Sequence, residues 1–422
     1  MSEPSPEAGR VSSQINPKSP NGKSEVLEHT PAMLPHLPGL DGLRAIAVSL
    51  VLWHHVPYLF DRCLPEPNTL NSGFSPEVLA TGLHALPFWR WSLGGGLGVD
   101  LFFALSGFLI TTILWRSRPR PHPLKTFWMR RVLRIQPLFY LYLSLLGLLV
   151  YGLGWIVPPE PMPQDWSAAL LYGLYLGNVH LALNPEPSGL LVLLWSLAVE
   201  EQFYLIWPLL ALRLSWRRMM QVCAGILLLT PWLRLLTAAT LGLKAVRALP
   251  FTHADPLVLG AMLALLLEHP AYRAFTLRLC RRLAPVCGGL LGLYLLGPFN
   301  DPHQMSTGLV LFRYSIVGLL CTFLVGAVVS QSEDSVPGLL SRLLSHPVMQ
   351  WLGRRSYGIY LWHWLVGEAL LASLSRTGDS PAALALRVGA WGGLTLLVSG
   401  LSWRLFEAPI LRLKARFEYG GR

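Results

Sequence analysis

Arg44 and His55 stand eleven residues apart in an apolar stretch long enough to cross a membrane. On a helix they fall within about 20° of the same face and about 16.5 Å apart along the axis. An ionisable side chain inside a spanning helix is energetically costly, so each one is a candidate functional residue. A guanidinium can hold a polar ligand and an imidazole can move a proton, although a histidine near a helix end also suits a purely structural role.

A second group of polar side chains recurs at helical spacing in another apolar segment. Ser196, Glu200 and Tyr204 stand at i, i+4 and i+8, with Glu201 beside them. Two adjacent acids inside an apolar run are hard to explain by packing. We therefore expect Glu200 to face a polar cavity and Glu201 to be the interfacial or structural member.

A third group contains Ser356, Tyr360 and His363 at i, i+4 and i+7, again on one helix face. Arg354 and Arg355 precede it, at the end of the segment that we expect to meet the cytoplasm. This spacing predicts another polar helix face inside the bundle.

The basic stretch 127–137 places Arg131 and Arg134 at i and i+3. Anchoring of a helix end by positive charge would explain Arg131, whereas Arg134 lies deeper, where a guanidinium can bind a phosphate through a fork of donors. Ser106 interrupts a different apolar helix and has two open interpretations. It either hydrogen-bonds its own helix or takes part in chemistry.

The composition indicates a membrane protein. Of the 422 residues, 52% are hydrophobic and only 14% charged, against about 25% charged in soluble domains. The net charge of +11 is dispersed between apolar runs, so positive loops explain it better than nucleic-acid binding. The five cysteines show no ligand spacing, and no metal site is predicted.

Eleven apolar segments of about 15–25 residues favour an all-α polytopic bundle. They are 40–59, 94–115, 132–156, 168–183, 190–211, 219–241, 254–268, 284–298, 306–330, 349–373 and 384–406. The basic segments 116–131, 211–218, 269–283 and the C-terminal tail should share the cytoplasmic side. This requires one segment not to cross, and 168–183, with Asn178 and His180, is the weakest candidate for a span. We thus predict about ten spanning helices plus one short re-entrant or buried helix, with both termini cytoplasmic.

Three regions follow from this pattern: a disordered cytoplasmic tail at 1–37, a transmembrane domain at 38–410 and a basic cytoplasmic tail at 411–422. The first is rich in Ser, Pro, Glu and Asn and has too few large apolar residues for a core.

Six ordered sequence blocks resemble the membrane-bound acyltransferase-3 family, which includes O-antigen and peptidoglycan O-acetylases and macrolide acyltransferases. The blocks are GLDGLRA from Gly39 with His55 completing an Arg-x10-His signature, GVDLFFALSGFLIT from Gly98, FWMRRVLRIQPLFY from Phe127, WSLAVEEQFYLIWP from Trp195, LGRRSYGIYLWH from Leu352 and FEAP from Phe406. Many bacterial members add a C-terminal SGNH-type domain. This sequence resembles the stand-alone members, which leaves antibiotic, glycolipid and other glycan acceptors open.

The resemblance implies transfer of an acyl group, such as acetyl, from cytoplasmic acyl-CoA to a hydroxyl of a glycan, glycolipid or other glycosylated small molecule, in a lipid bilayer and without a bound cofactor. Arg131 and Arg134, with Arg354 or Arg355, are expected to hold the CoA phosphates. Ser106 and Trp195 complete the expected substrate-binding set with Tyr360.

The same resemblance implies the catalytic roles. His55 is expected to act as a general base or as a transient nucleophile, and Arg44 to orient the donor. Glu200 is expected to orient His55 or contact the acceptor, while His363 and Tyr360 polarise the thioester carbonyl. The alternative function is a transporter or flippase without acyl-transfer chemistry, in which the buried charges line a substrate path.

Overall fold

The computed structural model describes residues 36–60, 91–156, 166–183, 189–296, 307–332, 338–373 and 381–419. The predicted disordered tail therefore lies almost entirely outside the described residues. Across the described ranges every regular element is helical. The helices are α1 (Pro38–Phe60), α2 (Leu97–Ser117), α3 (Pro123–Gly147), α4 (Trp166–Gly173), α5 (Gly177–Leu183), α6 (Gly189–Val192), α7 (Leu194–Arg213), α8 (Trp216–Leu241), α9 (Leu243–Ala248), α10 (Asp255–Glu268), α11 (Pro270–Leu296), α12 (Thr307–Gln331), α13 (Leu339–Leu344), α14 (Pro347–Ser373), α15 (Pro381–Ser402) and α16 (Ala408–Arg412).

Seven helical spans within the described ranges are long and apolar enough to cross a membrane. α1 and α14 contain 23 and 27 residues but are not among these seven. These two helices carry Arg44, His55, Tyr360 and His363. The predicted all-α polytopic membrane fold is confirmed, and the count of ten crossings stays a prediction.

The segment predicted not to cross forms two short helices, α4 and α5, of eight and seven residues. At 1.5 Å per residue, each reaches about 12 Å, far less than the ~30 Å hydrocarbon core. Asn178 is fully buried and donates to the Gln202 side chain and to the Ala248 carbonyl, at 3.2 and 3.3 Å. Its polar groups are thus satisfied by protein, as buried backbone and amides in a membrane require.

The basic segments predicted to share one side of the membrane meet at one end of the bundle. Arg118 donates to the Leu214 carbonyl at 2.7 Å, Arg116 pairs with Glu268 at 2.7 Å, and Arg130 donates to the Phe417 carbonyl at 2.8 Å. We call this end the basic face.

Two helix starts differ from their sequence predictions. α3 begins at Pro123 rather than near 132, and α11 begins at Pro270 rather than near 284. Proline suits the first turn because its fixed φ is helical and its missing N–H is not needed there. The basic residues of 269–283 consequently lie on a helix rather than in a loop.

A fully buried ion pair joins three helices of the bundle. Arg234 of α8 lies 2.7 Å from the Asp255 carboxylate, and it also donates to the Thr252 and Leu311 carbonyls, both at 2.6 Å. Such a pair is tolerated because hydrogen bonds from Nε and Nη1 of Arg234 satisfy most of its remaining donors. Neither partner was singled out by the sequence, since each stands alone in an apolar stretch.

Close helix contact fixes the position of α2 against α10, which form the most extensive helix pair among the described elements. A Cβ added at Gly107 would overlap the Leu257 carbonyl oxygen, and one at Gly260 would overlap the Ala104 carbonyl oxygen. Small residues at these points let the two backbones meet, as is typical of membrane helix pairs.

We expect Gly107→Ala and Gly260→Ala each to destabilise the protein by about 1–3 kcal/mol, the usual cost of overpacking. Gly225→Ala is the matched control because its added Cβ would meet no atom within 4 Å, and alanine at an exposed helix position stabilises by about 0.5–1 kcal/mol. Thermal unfolding of the detergent-solubilised variants measures the difference. Equal melting temperatures for all three would contradict the close contact.

Candidate active site

Two adjoining cavities extend from the basic face into the bundle. The outer one, which we call the vestibule, has a volume of about 760 Å³, and the inner one, the inner cavity, about 70 Å³. Arg44, Arg131 and Arg134 line both cavities and so mark the boundary between them. α1 supplies the first of these arginines and α3 the other two.

The vestibule is strongly positive. Its walls contain seven arginine or lysine side chains against two acids, Asp41 and Glu418. Arg354 is one of the seven and donates from Nε to the Gln350 carbonyl of its own helix at 3.2 Å. The residues after Arg412, predicted as a tail, form a 3-10 turn and line this cavity. Burial raises the pKa of the Tyr419 hydroxyl in this wall to about 12, which keeps it neutral at physiological pH.

The three boundary arginines form no ion pair with a described residue, although Glu200 and Glu201 line the same inner cavity. Their guanidinium groups make neither an ion pair nor a hydrogen bond there, and Arg131 lies 5.2 Å over the Tyr204 ring. Half-buried guanidinium groups without an ion pair leave their donors available to an anion. This arrangement predicts recognition of a phosphate or carboxylate at the boundary.

A carboxylate and two hydroxyls form one side of the inner cavity. The Ser106 hydroxyl donates to Glu200 Oε1 at 2.6 Å, and the Tyr204 hydroxyl donates to Ser106 Oγ at 3.1 Å. Of the two interpretations of Ser106, the structure shows a bond to the catalytic candidate Glu200. Glu201 also lines the cavity and accepts from Gln136 Nε2 at 3.3 Å.

Tyr360 closes another side of the inner cavity. Its hydroxyl donates to the Leu193 carbonyl at 2.7 Å and therefore accepts from Ser196 Oγ, also at 2.7 Å. Because a carbonyl oxygen can only accept, the single hydroxyl proton of Tyr360 is directed at the protein backbone.

His55 and His363 meet directly, although 308 residues separate them. Nδ1 of His55 lies 3.0 Å from Nε2 of His363, and the rings stack with centroids 4.9 Å apart. Nδ1 of His363 lies 2.6 Å from the Tyr360 carbonyl and must carry a proton to bond it. In the neutral pair, Nε2 of His363 therefore accepts from Nδ1 of His55, and Nε2 of His55 keeps the lone pair that can take a proton.

The structure thus separates the predicted site residues into two groups. The first group lines the inner cavity and consists of Arg44, Arg131, Arg134, Ser106, Glu200 and Tyr360. The second group consists of His55 and His363, which line neither cavity. They stand behind Tyr360, whose ring centroid is 5.8 Å from that of His363. The Glu200 carboxylate accepts a hydrogen bond from Ser106, and His55 is hydrogen-bonded to His363.

Trp195 also lies outside both cavities. Its ring stacks on His253 with centroids 5.4 Å apart, and the Arg247 guanidinium carbon lies 5.8 Å over it. His253 Nε2 is 2.7 Å from Asp100 Oδ1. His253 and Arg247 could not be singled out from their pattern, because they stand in a short stretch between two apolar segments and look like loop residues. Asp100, inside an apolar run, was the available signal.

Comparison with known proteins identifies the family. A family model described as an acyltransferase domain matches residues 37–404. The chain is 29% identical over 393 residues to the peptidoglycan O-acetyltransferase OatA of Listeria monocytogenes, covering 89% of this chain and 56% of that protein. It is 28% identical over 406 residues to YrhL of Bacillus subtilis, provisionally assigned as a peptidoglycan O-acetyltransferase, covering 89% of this chain and 55% of that protein.

The chain therefore spans about half the length of the curated relatives that it matches. No solved structure matches it. The family match covers most of the chain and five of the six sequence blocks, whereas the last block, which begins at Phe406, lies beyond it. The chain belongs to the acyltransferase-3 family, and it is a multi-pass membrane protein.

Proposed function

We propose that the protein transfers an acyl group, such as acetyl, from acyl-CoA to a hydroxyl of a glycan, glycolipid or other glycosylated small molecule. The observation that carries the proposal is the set of three guanidinium groups, Arg44, Arg131 and Arg134, that form no ion pair with a described residue at the boundary of two cavities. A site with unpaired cations at the base of a positive vestibule suits the phosphates of a CoA donor better than a neutral substrate.

The donor then lies along α1. Arg131 and Arg134, with Arg354 on the vestibule wall, bind the phosphates, and Arg44 orients the polar end of the pantetheine arm. The arm extends through the inner cavity toward Tyr360. From Arg44 to His55 the helix rises about 16.5 Å, comparable to an extended pantetheine arm, so the thioester comes within reach of His55.

His55 acts as general base for the acceptor hydroxyl, because its Nε2 keeps a lone pair when His363 accepts from Nδ1. Glu200 and Ser106 face the inner cavity and contact the substrates there. The acceptor class follows the relatives, of which OatA is named for O-acetylation of peptidoglycan. No resident cofactor or metal enters this scheme.

The experiment is a thioester-cleavage assay on the purified full chain in lipid nanodiscs with labelled acetyl-CoA. We expect release of free CoA that depends on an added glycan or glycolipid extract, with the label recovered on the acceptor. Movement of a substrate across the membrane without thioester cleavage would replace this proposal with the transporter alternative.

We place the basic face and both termini on the cytoplasmic side of the cell membrane, where acyl-CoA is available. Single cysteines at Arg217, on the basic face, and at Leu153, beyond the other end of the 30-residue span Pro123–Gly152, test this orientation in a cysteine-free background. Both positions are exposed. In intact cells a membrane-impermeant maleimide should label Leu153→Cys and spare Arg217→Cys, and the reverse pattern would invert the orientation.

A further inference from the structure

Lys414 stands on the wall of the vestibule, in the 3-10 turn that follows α16. Its side chain is half-buried and forms neither an ion pair nor a hydrogen bond with a described residue. An ammonium group is a compact, strongly hydrated charge, so removing part of its water is costly unless an anion binds it. The position of Lys414 therefore favours an anionic ligand in the vestibule.

The chain segment that carries Lys414 is held against the vestibule by two arginines. Arg130 Nη1 donates to the Lys414 carbonyl at 3.3 Å and to the Phe417 carbonyl at 2.8 Å. Arg120 Nη1 donates to the Tyr419 carbonyl at 3.1 Å. Carbonyl groups beyond the last helical turn have no partner within the helix, so these bonds satisfy them and fix the segment. Lys414 is consequently part of the cavity wall.

The arginine and lysine side chains of the vestibule lie at two depths. Three of the seven line both cavities and mark their boundary, whereas four line the vestibule alone: Arg120, Arg130, Arg354 and Lys414. Each of these outer arginines donates to a backbone carbonyl. Within the described ranges Lys414 is the outer cation without such a bond, and all three of its ammonium donors are available to a ligand.

The sizes of the two cavities indicate which part of acyl-CoA each can hold. The vestibule, at about 760 Å³, lies within the ~300–1,000 Å³ typical of ligand pockets, whereas the inner cavity measures only about 70 Å³. The bulky nucleotide therefore fits the vestibule, and the narrow pantetheine arm fits the inner cavity. In CoA the arm and the ribose 3′-phosphate lie on opposite sides of the pyrophosphate. With the pyrophosphate at the boundary arginines, the 3′-phosphate lies among the outer cations.

We propose that Lys414 is a specificity-determining residue that binds the ribose 3′-phosphate of the acyl-CoA donor. The inference rests on the proposed acyl transfer. A phosphate monoester carries about −1.5 to −2 charges at neutral pH, so it offsets the repulsion among the vestibule cations and forms charge-assisted hydrogen bonds with the ammonium group. The protein thereby prefers CoA thioesters to thioesters of dephospho-CoA or phosphopantetheine, which lack this phosphate.

The test compares acetyl-CoA with acetyl-dephospho-CoA, which differs only in lacking the 3′-phosphate. The purified full chain is studied in nanodiscs of zwitterionic phosphatidylcholine, so that no anionic headgroup competes for the site. A hydrogen bond to a charged group corresponds to about 10–150-fold in affinity. We expect the wild-type KM for acetyl-dephospho-CoA to exceed that for acetyl-CoA by a factor in this range.

Lys414→Gln should raise the KM for acetyl-CoA by a similar factor and leave the KM for acetyl-dephospho-CoA unchanged, so that the preference largely disappears. The kcat at saturating donor should stay near the wild-type value, because a phosphate contact stabilises ground and transition states alike. A purely structural role of Lys414 predicts equal changes for both donors. Lys414→Arg should keep the preference because it keeps the charge.

Lys125→Gln is the matched control. Lys125 is an exposed lysine near the start of α3 that lines neither cavity, and its replacement should leave both KM values unchanged. Equilibrium binding of CoA and dephospho-CoA gives the same comparison without turnover. The inference is overturned if the wild type does not distinguish the two donors, if Lys414→Gln keeps the preference, or if it raises both KM values alike. Binding of CoA without cleavage of either thioester would instead reject the proposed function.

Discussion

Replacing His55 with alanine should abolish most acyl transfer while leaving folding and membrane insertion largely intact. Loss of a positioned general base typically lowers the rate about 10²–10⁴-fold. The geometry gives the reason, since the Tyr360 carbonyl fixes the tautomer of His363, and His363 in turn directs the lone pair of His55 to Nε2. Turnover per folded molecule of the His55→Ala variant measures the effect.

His54→Ala is the control for His55→Ala. The two rings are neighbours, with centroids 5.2 Å apart, but His54 Nδ1 bonds the Ser92 carbonyl at 3.2 Å and points about 100° away round the helix. It should retain most of the activity. Near-normal turnover in His55→Ala, together with loss of turnover in His363→Ala, would move the proton transfer to His363.

A transient acyl-histidine would change the kinetics but not the requirement for His55. If His55 were the nucleophile, label from acetyl-CoA would remain on the denatured wild-type protein in the absence of acceptor, and His55→Ala would remove it. If His55 is a general base, no label remains on the protein. The two interpretations that the sequence left open are therefore separable by one quenched incubation.

Helical periodicity was enough to group residues on each helix. Ser196, Glu200 and Tyr204 were grouped by spacing alone, and all three line the inner cavity. The loop charges likewise grouped the basic segments that meet at the basic face. Both arguments work because periodicity and loop composition are local properties of a membrane helix.

The partners across helices could not be obtained in this way. Periodicity fixes the face of a helix but not the helix that it faces, so the contact between His55 and His363 was beyond it. That contact depends on α1 packing along α14, where a Cβ at Gly353 would overlap the Asp41 backbone. The contact between His253 and Asp100 was beyond it for the same reason, because 153 residues separate the two in sequence.

Combined replacement of Arg131 and Arg134 by glutamine should severely weaken donor binding. Each hydrogen bond to a charged group contributes about 1.5–3 kcal/mol, which corresponds to about 10–150-fold in affinity. Neither guanidinium forms an ion pair or a hydrogen bond within the described ranges, so little of this binding is offset by lost protein contacts. The effect should appear mainly as a raised KM for acetyl-CoA, with kcat at saturating donor less affected, because phosphate contacts stabilise ground and transition states alike.

Raised salt should reproduce part of the double variant's defect in the wild-type protein, since the vestibule opens to water and its charges are screened. Arg278→Gln, which removes an exposed arginine bonded within its own helix, is the charge-matched control and should keep the wild-type donor KM.

The competing explanation is that Arg131 and Arg134 only anchor α3 by the positive-inside effect. It predicts low abundance of inserted protein with a normal donor KM in the molecules that do insert. Measuring KM together with the amount of folded protein decides between them, and a normal KM would move the phosphate site toward Arg354 and Arg355.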